Sequence, residues 1–171
     1  SQTGGAAGMD VALVTGYGPE MLTRFDGLQP LVQPTDVVVC GYRDVVEPAT
    51  YPGRVIFATQ IHRFDLAKIR QQGVEAIANR RLPLLNKSAL AGFWIHLDAD
   101  VLDDDWMPAV DSRQPDGLTA PELIRLLQHL LAAEGAVGMD ITIFDPDLDP
   151  SGQIAAAFTS TIVEAFVHDK R

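Results

Sequence analysis

The chain has a single cysteine, Cys40, in 171 residues. One thiol excludes an intrachain disulfide framework and fits a reducing compartment, so a cytoplasmic location is expected. Its neighbours Val37, Val38 and Val39 are apolar, and Cys40 reads as an inert core thiol. Positive charge is also scarce: 13 Lys and Arg face 23 Asp and Glu, for a formal net charge of -10. A nucleic-acid surface needs a concentrated basic patch, so nucleic acid is not an expected partner. An acidic surface suits cations, but it equally suits plain solubility. No apolar run approaches the roughly 18 residues of a membrane-spanning helix, and no signal peptide opens the chain. A membrane partner is therefore not expected. The opening Ser1-Gln2-Thr3-Gly4-Gly5 has no Met and reads as the middle of a loop, as in a fragment.

Apolar residues make up 47% and charged residues 21%, a composition that forms one globular domain with a core. Residues 1–171 are read as a single domain. Four short apolar runs predict buried strands: residues 37–40, 54–58, 93–97 and 136–141. Helical patterns lie between them. Asp65 is placed to cap a helix running to about Arg81, with Leu66, Ile69 and Ile77 on one face. Thr119 and Glu122 form a capping-box pattern ahead of the stripe Leu123, Leu126, Leu127, Leu130 and Leu131, and Gly135 is placed to stop that helix. Ile154, Phe158, Ile162, Ala165 and Phe166 trace a last helix, and residues 9–15 a short early one. Strands alternating with helices predict an α/β fold: a mainly parallel sheet covered on both faces.

Five of the eight residues from 98 to 105 are aspartates. Asp98 and Asp100 follow the apolar run 93–97, where a parallel sheet gathers its ligands. Residues two apart on a strand share a face, with Cα atoms about 6.6 Å apart. Such a pair repels unless something compensates it, and a divalent cation is the direct solution. The alternative is a solvated acidic loop in which Asp98 caps a turn. His96 shares the strand face one step deeper; it is either a third ligand or a hydrogen-bonded core histidine, the latter being the simpler reading. The Asp145-Pro146-Asp147-Leu148-Asp149 run begins like a calcium loop, but Pro150 and Ala156 occupy the positions that need Gly and Glu.

The run His96-Leu97-Asp98-Ala99-Asp100-Val101-Leu102-Asp103, followed by Met107-Pro108-Ala109 and Gly117-Leu118-Thr119, resembles the arginase/agmatinase/formiminoglutamase family of ureohydrolases. The resemblance extends to Thr3–Met9, which is similar to the family's substrate loop. It includes Gly41-Tyr42-Arg43-Asp44 and the last strand around Gly138-Met139-Asp140-Ile141 and Asp145-Pro146. It implies a three-layer α/β/α domain of which this chain is the C-terminal part. It also implies hydrolysis of a non-peptide C–N bond in a small guanidino, amidino or formimino compound, by a hydroxide activated by two Mn2+ ions. Asp98 and Asp100 are then metal ligands, Asp103 braces the loop, and Thr3, Gly5 and Asp140 are candidate substrate contacts. Family members often assemble as homo-oligomers.

Several departures accompany the resemblance. The family's Gly-Gly-Asp-His and Asp-Ala-His-x-Asp motifs, which carry four of six metal ligands, do not occur in the chain. The N-terminal part of the domain is therefore expected to be missing, and the chain alone to be incomplete. Ala7 stands where arginases carry a proton-shuttling histidine, and Ile143 where the family pairs a glutamate with the guanidinium. Asp104 replaces the proline that normally follows Asp103. These losses keep a second function open: a non-catalytic or metal-deficient member acting as a binding or assembly module.

Overall fold

The computed structural model describes residues 7–43, 59–85 and 90–167. The chain forms two compact units, one of residues 1–39 and 44–63, the other of residues 40–43 and 64–171. The predicted strand at residues 54–58 lies outside the described residues.

The elements up to Asp65 are short pieces, and β1 and β2 each have residues in both units. A 3-10 turn, Ala7–Met9, leads into α1 (Asp10–Val14), and α2 (Glu20–Thr23) follows. Thr15 closes α1 by donating its hydroxyl to the Val11 carbonyl at 2.6 Å. The strand β1 (Val38–Tyr42) starts two residues after a 3-10 turn at Pro34–Asp36, one residue later than the apolar run predicts. It pairs with β2 (His62–Asp65), a strand that the sequence pattern does not announce. Cys40 is half-buried rather than enclosed.

The second unit carries the larger core. The helix expected from Asp65 to Arg81 is two helices, α3 (Leu66–Gln72) and α4 (Val74–Leu85). Gly73 separates them at φ 83°, a left-handed conformation that closes α3 and that an L side chain resists. Asp65 caps α3 as expected, accepting from the Lys68 N–H at 2.8 Å. β3 (Phe93–Asp98) alternates: Phe93, Ile95 and Leu97 are buried, whereas Trp94 and His96 face outward. Among the described residues only the inward row of β3 is covered.

β3 continues through α5 (Ala120–Leu131) to β4 (Ala136–Thr142), and the two strands pair in parallel. This is the βαβ unit that alternating patterns predict. Thr119 and Glu122 form the capping box, with Glu122 accepting from the Thr119 N–H at 2.8 Å. Leu123, Leu126 and Leu127 are buried. α5 stops at Leu131, ahead of Gly135, because a turn bonding the Ala136 N–H to the Ala133 carbonyl at 3.0 Å intervenes. α6 (Gln153–Phe166) buries Phe158, Thr161 and Ala165. Asp149 serves its first turn, accepting from the Ala155 N–H at 2.8 Å and the Ser151 hydroxyl at 3.2 Å.

Candidate metal-binding site

Asp98 ends β3 and caps the 3-10 turn Ala99–Val101, its carboxylate accepting the Asp100 N–H at 3.3 Å. The turn brings the two carboxyl groups into one half-buried place. The Asp100 carboxyl is pushed up to about 6. Burial is the largest cause, followed by the negative charge of Asp98; Arg43 opposes both, and a hydrogen bond with the Asp98 carboxyl and the charge of Asp111 add to the rise. Two acids that hold a proton between them are also arranged to give it up to a cation. Carboxylate oxygens are the right donors for a hard divalent ion such as Mn2+. Two of them are too few to hold one alone, and among the described residues no three His, Cys, Asp or Glu side chains gather as a metal centre.

Arg43 fixes the backbone under this pair. Its guanidinium donates to the Gln114 carbonyl at 2.7 Å, reaches the Leu102 and Pro115 carbonyls at 3.5 and 3.4 Å, and bonds the Asp100 carbonyl. One planar donor group thus ties the turn carrying Asp100 to the loop 114–115. Gly41, at φ 85°, lets the end of β1 pass the turn: a Cβ there would lie 2.7 Å from Val101 Cγ2. The sequence pattern singles out Gly41 and Arg43 only as a motif; their role depends on partners 57 to 72 residues away.

Asp103 has a different task. Its carboxylate accepts from the Asp105 and Gly117 N–H groups at 3.1 and 3.2 Å. The Asp105 N–H is the main reason its carboxyl lies below the usual range. The Leu118 N–H bonds the Val101 carbonyl at 2.9 Å and the Asp103 N–H bonds Leu118 at 3.0 Å, closing the loop behind the carboxylate pair.

The parallel register places His96 opposite Asp140 and Asp98 opposite Thr142. His96 Nδ1 lies 2.7 Å from Asp140 Oδ2, its Nε2 lies 3.4 Å from the Thr142 hydroxyl, and the Trp94 indole N–H bonds Asp140 Oδ1. Burial raises the Asp140 carboxyl, but the hydrogen bonds from Trp94 and His96 outweigh it and hold the group below its ordinary value. His96 is therefore hydrogen-bonded as expected, but half-exposed rather than in the core. No local signal in the sequence announces this Trp–Asp–His arrangement, because it depends on strand register.

Ile143, just past β4, has φ 70°, a left-handed conformation that a β-branched side chain strongly disfavours. It lines a cleft of about 340 Å3 with Ile141, Thr142, Phe144, Ala155, Phe158 and Thr159, a lining without charge. Thr3 and Gly5 lie outside the described residues.

A model of the arginase family matches residues 20–168. The arginase of Bacillus caldovelox is 25% identical over 166 residues, which cover 97% of this chain and 54% of that protein. The N(1)-aminopropylagmatine ureohydrolase of Thermus thermophilus is 36% identical over 119 residues, 69% of this chain and 34% of that protein. Among solved structures, native Bacillus caldovelox arginase has a TM-score of 0.82 at 23% identity, over 96% of this chain and 54% of that one. The chain spans about half the length of the first of these relatives. No helix among the described residues is long and apolar enough to cross a membrane.

Proposed function

The chain belongs to the arginase family, and from that premise we propose that the intact protein is a metal-dependent ureohydrolase cleaving a non-peptide C–N bond in a small guanidino, amidino or formimino compound. The single observation that carries this reading is the Asp98–Asp100 carboxyl pair at the carboxyl end of β3, in a chain matched by the family over residues 20–168. Asp98 and Asp100 would hold Mn2+ together with donors outside the described residues. When bound, two such ions supply Lewis acidity that makes a water nucleophilic at neutral pH. Arg43 positions the Asp100 backbone, and Asp103 holds the loop behind it. Thr3, Gly5 and Asp140 are our candidates for substrate contact. We further assign the protein a cytoplasmic location, a homo-oligomeric state and no nucleic-acid or membrane partner. The 171 residues form the C-terminal part of one arginase-like α/β domain.

Ile143 argues against a plain guanidine as substrate. An apolar side chain in an uncharged cleft offers a guanidinium no counter-charge. The same residue favours a second reading, a family member that no longer catalyses and acts as a binding or assembly module. Metal analysis of the intact protein, combined with a screen for urea, ammonia or formamide release, separates the two. Stoichiometric manganese with turnover defeats the second reading, and a metal-free intact protein defeats the first.

A further inference from the structure

Trp94, Asp140, His96 and Thr142 are joined end to end across β3 and β4. The register sets Gly138 beside Trp94, Asp140 beside His96 and Thr142 beside Asp98. Gly138 makes room for the Trp94 ring, since a Cβ there would sit 2.0 Å from it. The indole N–H donates to Asp140 Oδ1, and His96 Nδ1 lies 2.7 Å from Asp140 Oδ2. Burial opposes the charge of Asp140, but these two bonds outweigh it and favour the ionised form. An ionised carboxylate only accepts, so Nδ1 carries the proton of the His96 ring. In a neutral imidazole the other nitrogen, Nε2, is then bare and only accepts. The donor it meets is the Thr142 hydroxyl, 3.4 Å away. That hydroxyl proton is committed to His96, and the Thr142 oxygen keeps its lone pairs for another donor.

Thr142 stands where such an acceptor matters. Its neighbour across the strand pair is Asp98, at the usual interstrand spacing of about 4.8 Å. It also lines the cleft of about 340 Å3 that Ile143 lines, whose polar side chains are two hydroxyls, Thr142 and Thr159. We propose that the Thr142 oxygen is the recognition acceptor of the candidate site, and that it selects a guanidino group kept uncharged by an electron-withdrawing substituent on nitrogen. A hydroxyl oxygen satisfies an N–H of such a group, and an uncharged group enters an apolar cleft without leaving a charge unpaired. A guanidinium would lose its hydration there and gain no counter-charge. Asp140 and His96 act through Thr142, as positioning residues. The inference rests on the hydrolase reading and narrows its substrate.

The test uses the intact protein with manganese supplied. The probes are nitroguanidine, an uncharged guanidine, and methylguanidine, a cation. Calorimetric titration is expected to show nitroguanidine binding about tenfold tighter. Thr142→Val keeps the shape and removes the hydroxyl, and is expected to abolish that preference; Thr142→Ser is expected to keep it. A merely structural Thr142 would move both affinities together and leave their ratio alone. Nitrogen NMR of the histidine rings, with the His96 signals identified by their loss in His96→Asn, is expected to show Nδ1 protonated and Nε2 bare. The probe preference and the ring state are both read on the unaltered protein, so a misfolded variant does not shield the proposal. Equal affinities, the reverse preference, no binding of either probe, a preference that survives Thr142→Val, or a His96 proton on Nε2 overturns it. If manganese binds and nitroguanidine is not preferred, the hydrolase reading stands and this inference falls. If the Thr142-dependent preference appears in a protein that takes up no manganese, the recognition role stands and the hydrolase reading falls.

Discussion

Two kinds of aspartate sit within a few residues of each other after β3. Asp98 and Asp100 face one another, and crowding with burial drives the Asp100 carboxyl up to about 6. Asp103 faces backbone N–H groups, and its carboxyl is drawn below the usual range. Asp149, at the start of α6, belongs with Asp103: the Ala155 N–H is the main cause of its lowered value. The residue type is the same, but in one place the fold makes the negative charge costly and in the other it supplies donors that stabilise it. An acid held against its own ionisation is free to exchange a proton for a cation, whereas an acid bonded to the backbone is already occupied in holding the chain.

The contrast breaks most severely at Gly117, whose N–H serves Asp103. A Cβ there would lie 2.2 Å from the Leu102 carbonyl carbon and 2.3 Å from the Asp103 nitrogen, both backbone atoms that cannot swing aside. Gly117→Ala is expected to cost roughly 3 kcal/mol in a urea melt. A loss within error would show that the loop yields freely and that Asp103 braces nothing.

Asp98→Asn is expected to weaken manganese binding by the intact protein by about 100-fold or more in calorimetric titration, beyond the loss typical of a ligand's own partners, while the metal-free form keeps its fold. Unchanged affinity removes Asp98 from the site. A collapsed fold would instead move it into the structural class with Asp103.

Asp100→Asn sharpens the contrast through pH. A carboxyl raised in the folded state contributes stability that is full below its unfolded value of 3.8 and is lost as pH climbs through about 6. The metal-free variant should therefore gain on the wild type between pH 4 and 6 and hold that advantage above. Asp149→Asn should do the reverse. A lowered carboxyl contributes stability that is full above 3.8 and disappears as pH falls through its folded value. The variant should melt a few degrees lower at neutral pH, with the gap closing in acid. Parallel curves for these two variants would erase the distinction between the two kinds of aspartate.

How much of this was legible from residues alone depended on how local the deciding interaction is. Thr119 and Glu122 are three residues apart, and their reciprocal bonds are a local device that survives any tertiary context. The apolar run 93–97 and the Asp98–Asp100 spacing are equally local, whereas the alternating burial of that strand comes only from its packing. By contrast, the helix expected from Asp65 to Arg81 is broken at Gly73, since a glycine costs a helix only about 1 kcal/mol and surroundings decide whether it continues or stops. β2 escaped notice because His62-Arg63-Phe64-Asp65 is short and polar, and its strand conformation comes from pairing rather than pattern. His96 was expected in a core, and the parallel register instead set it beside Asp140 on an exposed face.

The order of residues by itself determined how α5 is capped, which aspartates share a strand end and to which family the motifs point, because those features act over two to four positions. Only the tertiary structure decided that Arg43 grips the Asp100 carbonyl and that Trp94 lies across Gly138. It likewise decided that burial raises the Asp100 carboxyl while Arg43 opposes the rise. Those outcomes depend on groups tens of residues apart meeting within a few ångströms, where desolvation and donor geometry, rather than residue type, set the energy.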